Sequence, residues 1–366
     1  MRFPSLLEIG DDQRKVVELP FRGSHVVTGA PGGGKTVTAV YRAWALATVG
    51  REVVLLTRYN LLHQYIAQLA PELTGSPRVT TTARWLNALW REKFGSDPPR
   101  SAEDERRYDW VEMQRSCILQ GVTVTASLVV DEGQNLPPGF YRLCRLLKAD
   151  VTVFADENQP IGTEESTLSE VCRILGAPAA PLELRHDHRS SREIAVLASE
   201  FRMESRTRFL LPKRSGNLPV VMRTHSLDGL LTGIAQYFNA HQDRSIGIIC
   251  RSGRMIREIQ GGLASRGLAK KTQAYVFDDR YRNSMDFSTH PIRIVSTASV
   301  KGLEFDSVFV PDLDSYTEDP TGVEARLRFL VLCTRAREDL HFAHRGTDEP
   351  PITAAIPEAL LARHHG

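Results

Sequence analysis

The chain has few of the features that mark secreted, membrane-spanning or zinc-binding proteins. Its five cysteines are scattered without a Cys-x-x-Cys pair, so neither a disulfide framework nor a zinc site is indicated. No stretch approaches the roughly 18 to 20 uninterrupted apolar residues of a membrane span, and the N-terminus lacks a signal-peptide pattern. These absences predict a soluble, cytoplasmic protein with no membrane partner.

The chain also has little net charge. Its 46 lysines and arginines nearly balance 44 aspartates and glutamates, which gives a formal net charge of +2 at pH 7. A strongly basic domain would indicate a nucleic-acid partner by charge alone, so here such a partner has to be argued from motifs. A length of 366 residues with 42% hydrophobic content predicts about two packed domains.

A glycine-rich stretch at residues 29–36, GAPGGGKT, fits the phosphate-binding template of a glycine, four residues and Gly-Lys-Thr. A β-branched run precedes it and a helix-prone run follows, which is the context that the template requires. Glycines let the backbone curl so that several N–H groups meet one anion, and the helix dipole favours the same charge. Lys35 is predicted to bridge the β- and γ-phosphates of ATP, and Thr36 to hold Mg²⁺. The predicted nucleotide contacts of this loop are Gly29, Gly32, Gly34, Lys35 and Thr36.

A second polar site follows an apolar run at residues 127–130, which ends in the adjacent carboxylates Asp131 and Glu132. Paired acids at a strand end can equally reflect the preference of a helix N-terminus for negative charge. A phosphate loop upstream favours a catalytic role instead. Asp131 is then predicted to hold Mg²⁺ through water, and Glu132 to accept a proton from the attacking water.

Short apolar runs alternate with helix-prone runs along the whole chain. This alternation predicts an α/β fold with mostly parallel sheets and ligand sites at the carboxyl ends of the strands. A small, proline-containing segment at residues 176–181 is the best linker candidate, and it predicts an N-terminal domain at 1–178 and a C-terminal domain at 179–366. Residues 95–107 are charged and contain no aromatic side chain, which indicates a solvated loop or a short insertion.

The second half of the chain has no phosphate loop of its own. It carries arginines at predicted strand ends and helix starts, among them Arg189, Arg251 and Arg335. An arginine delivered to a γ-phosphate from another domain neutralises charge in the transition state. Strands are predicted in this half at residues 218–223, 245–250, 272–277, 292–298, 307–311 and 339–343.

Besides the phosphate loop, seven further motifs occur along the chain: Gln13, the segments 57–60 (TRYN) and 131–134 (DEGQ), Gln159, and the segments 184–190 (LRHDHRS), 300–306 (VKGLEFD) and 328–336 (RFLVLCTRA). In the same order and over essentially the whole chain, they resemble the motifs of superfamily 1 helicases of the UvrD/Rep type. The resemblance implies two RecA-like P-loop NTPase domains with an ATP cleft between them.

For the nucleotide, the resemblance implies that Gln13 reads adenine, that His188 stacks on it and that Gln159 senses the γ-phosphate. Arg189 and Arg335 would be the arginine fingers, brought to ATP when the domains close. Hydrolysis of ATP with Mg²⁺ would drive movement along single-stranded or partly duplex DNA, with 3′ to 5′ as the implied direction. DNA and RNA both stay open as the strand.

Glu304 is implied to couple the nucleotide to the segment that faces the strand. Trp85 has a second interpretation, because a tryptophan at helical spacing is more often a core residue than a base contact. The implied nucleic-acid contacts are Thr57, Arg58, Tyr59, Asn60, Trp85 and Lys301.

The chain departs from the resemblance in places that concern the strand. The family has an aromatic residue after the Gln159 motif that stacks a base, and residues 160–165 contain none. A histidine, His188, stands where the family has a tyrosine. The intervals in which full-size relatives carry accessory subdomains are short here, so the chain resembles a bare motor core. Grip on a strand is expected to be weaker or to come from other residues.

These residues fit three functions to different degrees. The first is an ATP-dependent DNA helicase or translocase core. The second is an ATP-gated nucleic-acid sensor, or a subunit of a repair or antiviral defence complex that works with a partner nuclease or effector and unwinds little by itself. The third, a P-loop kinase for a small substrate, is disfavoured by the motifs at residues 300–306 and 328–336.

Overall fold

The computed structural model describes residues 5, 8–29, 32–58, 60–69, 77–156, 165–185, 190–202, 210–276 and 285–365. The chain divides after Arg185 into two compact units, called here the N-terminal unit and the C-terminal unit. Each contains a parallel sheet flanked by helices, which confirms the predicted α/β class with two mostly parallel sheets.

The N-terminal unit is built on six strands, which run parallel in the order β3-β2-β4-β5-β1-β6. These strands are β1 (His25–Gly29), β2 (Val53–Thr57), β3 (Arg78–Thr81), β4 (Ser127–Val130), β5 (Val151–Ala155) and β6 (Leu182–Leu184). Its described helices are α1 (Asp11–Val17), α2 (Lys35–Thr48), α3 (Asn60–Leu69), α4 (Thr82–Phe94), α5 (Trp110–Gln120), α6 (Pro138–Leu146) and α7 (Leu168–Leu175). β2, β4 and β5 are buried along their whole length, as their continuous apolar sequences require in a sheet covered on both faces.

The C-terminal unit is built on seven strands, which run parallel in the order β13-β7-β12-β11-β8-β10-β9. They are β7 (Val220–Arg223), β8 (Ile246–Cys250), β9 (Thr272–Ala274), β10 (Ile292–Ser296), β11 (Phe305–Val310), β12 (Ala336–His344) and β13 (Ala362–His365). Its described helices are α8 (Arg192–Glu200), α9 (Leu227–Ala240), α10 (Gly253–Leu263), α11 (Val323–Cys333) and α12 (Pro351–Ala354). The six strands predicted for this half overlap β7 to β12, whereas β13 was not predicted.

The division between the units differs from the domain boundary that the sequence predicts at 178/179. β6 lies after the proline-containing segment, yet it pairs in parallel with β1, with Val27 opposite Leu182 and Gly29 opposite Leu184. These ladder hydrogen bonds make β6 the last strand of the N-terminal sheet. The segment at 176–181 is therefore a loop within the N-terminal unit, and the compact units divide after β6.

Apolar side chains from the strands and from the helices beside them form the core of each unit. All five cysteines are buried, and burial raises the pKa of the Cys117 thiol to about 11. They therefore pack as apolar residues. Across the described ranges, no helix combines the length and apolar content that crossing a membrane demands.

Candidate functional site

The predicted phosphate loop joins β1 to α2 at the carboxyl edge of the N-terminal sheet. Gly34 precedes α2 with a φ of 74°, and Gly32 has a φ of 92°, a region that side chains resist. A Cβ at Gly34 would also lie 2.2 Å from Gln13 Nε2. At Gly29, the last residue of β1, a Cβ would lie 2.8 Å from Leu184 O. The path of the loop therefore requires glycine, and it leads into the N-terminus of α2, where the helix dipole favours an anion.

Lys35, the first residue of α2, is buried with its ammonium group against oxygen acceptors. Nζ donates to Gly29 O at 2.5 Å and to Asp156 Oδ2 at 3.2 Å. Asp156 follows β5, the strand beside β1 in the sheet. Charge-assisted bonds of this kind are stronger than those between neutral groups. The positive charge is thus held at the loop, where the oxygens of a phosphate would compete with the Asp156 carboxylate for it.

Thr36 and Asp131 bring two oxygen atoms together beside the loop. Thr36 Oγ1 donates to Asp131 Oδ2 at 2.8 Å. Burial is the main cause that raises the pKa of Asp131 to about 7, and the neighbouring Glu132 carboxylate raises it further. The Thr36 hydroxyl and the Lys35 ammonium lower it by less. A buried carboxylate with this balance gains most from a cation close by.

Mg²⁺ fits this pair of residues. It prefers oxygen ligands, and it is usually bound by one or two protein groups together with substrate phosphates and water. Within the described ranges, no cluster of three or more His, Cys, Asp or Glu side chains could hold a metal ion by itself. Thr36 and Asp131 would therefore hold Mg²⁺ together with a nucleotide and solvent.

Glu132 has a strained backbone and a side chain held by amides. Its φ of 56° lies in the left-handed region, which is uncommon for a residue with a side chain. Its backbone N–H donates to Asp131 Oδ1 at 3.1 Å, and its Oε2 accepts from Gln134 Nε2 at 2.7 Å. Gln134 Oε1 in turn accepts the backbone N–H of Asp156 at 3.0 Å. Gln134 therefore links the carboxylate after β4 to the end of β5, and it orients Glu132.

Gly133 follows Glu132 in the segment 131–134, and the structure gives a physical reason for glycine there. A Cβ at Gly133 would lie 2.3 Å from Val153 Cγ1 and 2.8 Å from the Tyr141 hydroxyl oxygen. The Tyr141 hydroxyl donates to Gly133 O at 2.6 Å. The 3₁₀ turn at Gly133–Asn135 is thus packed directly onto β5 and α6, without room for a methyl group.

Gln13 lies in α1, and both ends of its amide contact backbone groups. Oε1 accepts the Gly10 N–H at 2.8 Å, and Nε2 donates to Gly33 O at 3.5 Å. Its side chain is buried against the phosphate loop. The structure therefore shows Gln13 as a contact of the loop, while its reading of adenine stays a prediction.

Arg335 is buried among acceptors of its own unit. Its Nε donates to Val331 O at 3.0 Å, and its two terminal nitrogens donate to Leu303 O at 3.0 Å and to Thr334 Oγ1 at 3.1 Å. These bonds tie the end of α11 to the turn before β11, where Lys301 and Glu304 are half-buried. A role for Arg335 as an arginine finger stays a prediction.

The predicted strand contacts differ in exposure. Thr57 ends β2 and is buried, whereas the Arg58 side chain is about half exposed, at 47%. Arg58 donates to Asn135 O and lies 3.9 Å from the Glu165 carboxylate. Trp85 is only 5% exposed, and its ring meets the edge of Phe140 with centroids 6.2 Å apart. Trp85 is therefore a core residue, because its ring is covered by the helices around it.

Four predicted site residues lie outside the described residues: Tyr59, Gln159, His188 and Arg189. Asn60 begins α3, and its side chain is also outside the description.

Four residues of the site were not among the predicted ones. Asp156 pairs with Lys35, Gln134 and Asn135 donate to Glu132, and Tyr141 holds the turn at Gly133. Asp156 had a sequence signal, since it directly follows an apolar strand in the manner of Asp131. Tyr141 had none, because its partner is set by the packing of α6.

No protein-family model matches the chain, and no curated protein matches it either. Solved structures do resemble it. The DNA-bound structure of the DUF1998 helicase MrfA has a TM-score of 0.54 and 10% sequence identity, over 93% of this chain and 49% of that one. This chain thus spans about half the length of MrfA, and at such low identity the similarity shows a shared fold alone.

Two further structures are more distant in shape. An arterivirus nonstructural protein 10 helicase has a TM-score of 0.42 and 14% identity, over 96% of this chain and 64% of that one. The C-terminal domain of a possible DNA helicase from Lactobacillus plantarum WCFS1 has a TM-score of 0.37 and 22% identity, over 48% of this chain and 97% of that domain.

Proposed function

We propose that this chain is the motor core of a superfamily 1 DNA helicase or translocase, an ATPase stimulated by single-stranded DNA and dependent on Mg²⁺. The observation that carries the proposal is the polar cluster at the carboxyl edge of the N-terminal sheet. It combines Lys35 against Asp156, Thr36 against Asp131, and Glu132 held by Gln134.

In the proposed reaction, the glycine loop and the N-terminus of α2 bind the phosphates through backbone N–H groups. Lys35 exchanges the Asp156 carboxylate for phosphate oxygens. Thr36 and Asp131 would hold Mg²⁺, which would supply positive charge against the phosphates. Glu132, oriented by Gln134, accepts a proton from the attacking water. The fold shared with helicases supports a nucleic-acid motor, and a 3′ to 5′ direction is proposed from the sequence motifs.

For the domains, we propose two RecA-like halves with ATP bound between them. Arg335 would then act from the C-terminal half, together with Arg189. Because the described Arg335 guanidinium is bonded to Val331, Leu303 and Thr334, reaching a nucleotide would require some of these bonds to be exchanged. His188 and Gln159 keep their proposed roles at adenine and at the γ-phosphate.

The ATP-gated sensor is the second candidate, and a sequence observation favours it. Residues 160–165 offer no aromatic side chain to stack a base, and such contacts contribute roughly 1 to 3 kcal/mol each. A chain with weak grip would work as a subunit that signals to a nuclease or effector. It would hydrolyse ATP on single strands yet displace little or none of a paired strand.

The test is steady-state ATPase activity with single-stranded DNA, duplex DNA, single-stranded RNA or no nucleic acid, with Lys35→Ala as the blank. We expect strong stimulation by single-stranded DNA and none in the blank. An activity that no nucleic acid changes would contradict the motor proposal. Displacement of a labelled strand from a partial duplex then separates the helicase from the sensor.

A further inference from the structure

A pocket of about 190 Å³ opens in the N-terminal unit, away from the phosphate loop. Arg58, Thr82 and Asn135, which follow β2, β3 and β4, line one part of it. The other part, called here its wall, is lined by Arg106, Arg107, Tyr108 and Trp110. We call this pocket the arginine–aromatic notch. β3, β2 and β4 are neighbours in the parallel sheet, so the notch lies at the edge where such sheets bind ligands.

The charged residues that line the notch are all arginines. Arg58, Arg106 and Arg107 line it, and none of the described residues that line it is acidic. Arg106 and Arg107 are exposed, and Arg107 lies 3.3 Å from Asp104 in an ion pair open to solvent. Exposed pairs of this kind contribute little, so the Arg107 guanidinium can exchange Asp104 for a phosphate. The mouth of the notch therefore favours an anion.

Two aromatic rings complete the wall. Tyr108 and Trp110 lie with ring centroids 5.3 Å apart, and Arg100 covers one face of Tyr108 at 4.1 Å. Apolar groups of Leu86, Leu136 and Pro137 also line the space. Aromatic side chains next to arginines are the combination that binds unstacked bases of single strands. The notch is smaller than the roughly 300 Å³ of typical small-molecule pockets, which suits one base or phosphate better than a whole nucleoside triphosphate.

The segment that forms this wall is ordered by its own bonds. Arg100 and Tyr108 form an isolated antiparallel bridge, and Ser101 N donates to Arg107 O at 3.0 Å. Trp110 packs directly on Gly139, where a Cβ would lie 2.3 Å from its Cγ. The charged stretch at 95–107 is thus a short structured insertion that carries arginines to a fixed place.

The notch is also joined to the catalytic segment. Arg58 donates to Asn135 O, and Asn135 Nδ2 donates to Glu132 O at 3.3 Å. A ligand that draws the Arg58 guanidinium towards itself would act on the turn that carries Glu132. This link gives a physical route from occupancy of the notch to hydrolysis.

We propose that the arginine–aromatic notch binds one nucleotide of a single nucleic-acid strand, with its phosphate on Arg106 and Arg107 and its base against Tyr108 and Trp110. This inference rests on the proposed function and names a strand contact for it. The notch would supply the grip that residues 160–165 lack, because its aromatic wall comes from the insertion instead.

The test measures binding of a labelled oligothymidine to the full chain by fluorescence anisotropy, without nucleotide, over a series of salt concentrations. The double variant Arg106→Gln/Arg107→Gln is compared with Arg91→Gln/Arg115→Gln, which removes two exposed arginines of the same unit outside the notch. We expect the notch variant to bind more weakly and its log–log salt slope to shrink by about 0.7 for each lost phosphate contact. The control pair should keep the slope.

A second measurement reports on the base. Irradiation of the chain with a strand that contains 5-iodouracil should crosslink peptides that include Tyr108 or Trp110. Tyr108→Leu should reduce that crosslink and weaken binding by roughly 5- to 100-fold.

Three results would contradict strand binding by the notch. If the wild-type chain binds strands and the notch variant binds with the same affinity and slope, the notch proposal is wrong while the motor proposal stands. Crosslinks confined to other peptides have the same meaning. If the wild-type chain binds no strand, both proposals fail together.

Discussion

Two buried aspartates, one in each unit, follow parallel strands and have opposite surroundings. Asp131 follows β4, and burial with repulsion from Glu132 raises its pKa to about 7. Asp312 lies beyond β11, and burial raises its pKa too. Asp312 Oδ2, however, accepts the Arg251 N–H at 3.1 Å, and the Arg251 charge acts to lower the pKa. The Asp312 carboxylate therefore has an arginine of its own unit that lowers its pKa. At Asp131, the Glu132 carboxylate raises the pKa by more than Lys35 lowers it.

The residues near the two aspartates also differ in charge, because arginines pair with a carboxylate close to Asp312. Arg251 pairs with Glu318 at 2.6 Å, and Arg328 pairs with the same carboxylate. These arginines neutralise Glu318 and hold the chain after β11. Around Asp131 and Glu132, the Thr36 hydroxyl and the Gln134 amide orient the two carboxylates. Adjacent buried carboxylates repel each other, which costs stability, and such pairs are typical of functional sites.

The largest effect is expected for Glu132→Gln. Removing a general base costs roughly 10²- to 10⁴-fold in hydrolysis, while nucleotide binding should persist because Glu132 is not a predicted phosphate contact. Strand-stimulated turnover and binding of a fluorescent ATP analogue measure the two quantities. Glu318→Gln removes a carboxylate of the C-terminal unit that two arginines neutralise, and it should leave turnover close to wild type. Turnover of Glu132→Gln within tenfold of wild type would remove Glu132 from the chemistry.

Asp131→Asn tests whether the surroundings of Asp131 disfavour its ionised form. The folded-state pKa of Asp131 is about 7 against an ordinary 3.8, so ionisation is disfavoured in the folded chain. The protonated Asp131 therefore contributes most to the free energy of unfolding below about pH 4. This contribution, at most about 4 kcal/mol, is lost as the pH rises to about 7. Mg²⁺ bound with ADP should restore part of this loss above pH 7.

Melting temperatures between pH 5 and pH 8, with ADP and either Mg²⁺ or a chelator, measure this dependence. We expect Asp131→Asn to flatten the pH profile and to lose the response to Mg²⁺. Asp312→Asn is the matched variant, and it should keep that response because Asp312 has no part in the proposed Mg²⁺ site. A full Mg²⁺ response in Asp131→Asn would place the metal elsewhere.

The sequence predicts those parts of the site that are local in the chain. The glycine loop, Lys35 and Thr36 are contiguous, and the carboxylates at 131 and 132 directly follow an apolar strand. What it does not predict depends on packing between distant segments. The Lys35–Asp156 pair needs β5 to lie beside β1, and the assignment of β6 to the first sheet needs its pairing with that strand.

The direction of side chains is the other part that the sequence leaves open. Trp85 and Arg58 are both predicted as strand contacts, yet Arg58 lines the notch whereas Trp85 is buried. The helix that carries Trp85 presents that ring to Phe140, and no local pattern distinguishes this from an exposed position. The charged stretch at 95–107 is predicted as a solvated loop or a short insertion, and the bridge between Arg100 and Tyr108 helps to give its arginines a fixed place.

The smallest expected effect comes from substituting one tightly packed glycine in each unit. The comparison distinguishes a loss of stability from a loss of catalysis. A Cβ at Gly133 would lie 2.3 Å from Val153 Cγ1, and a Cβ at Gly247 would lie 2.3 Å from Phe305 Cδ2. Gly133→Ala and Gly247→Ala should therefore each destabilise the chain by roughly 1 to 3 kcal/mol, the usual cost of overpacking, as measured by urea unfolding.

Only Gly133→Ala should also slow hydrolysis at a temperature where both variants are folded, because the residue before it is Glu132, with its φ of 56°. Val153→Ala, which removes the clashing methyl group, should recover part of both losses in Gly133→Ala and nothing in Gly247→Ala. Equal ATPase activity in the two glycine variants would mean that the turn at Gly133 supports the fold and has no part in placing the carboxylate.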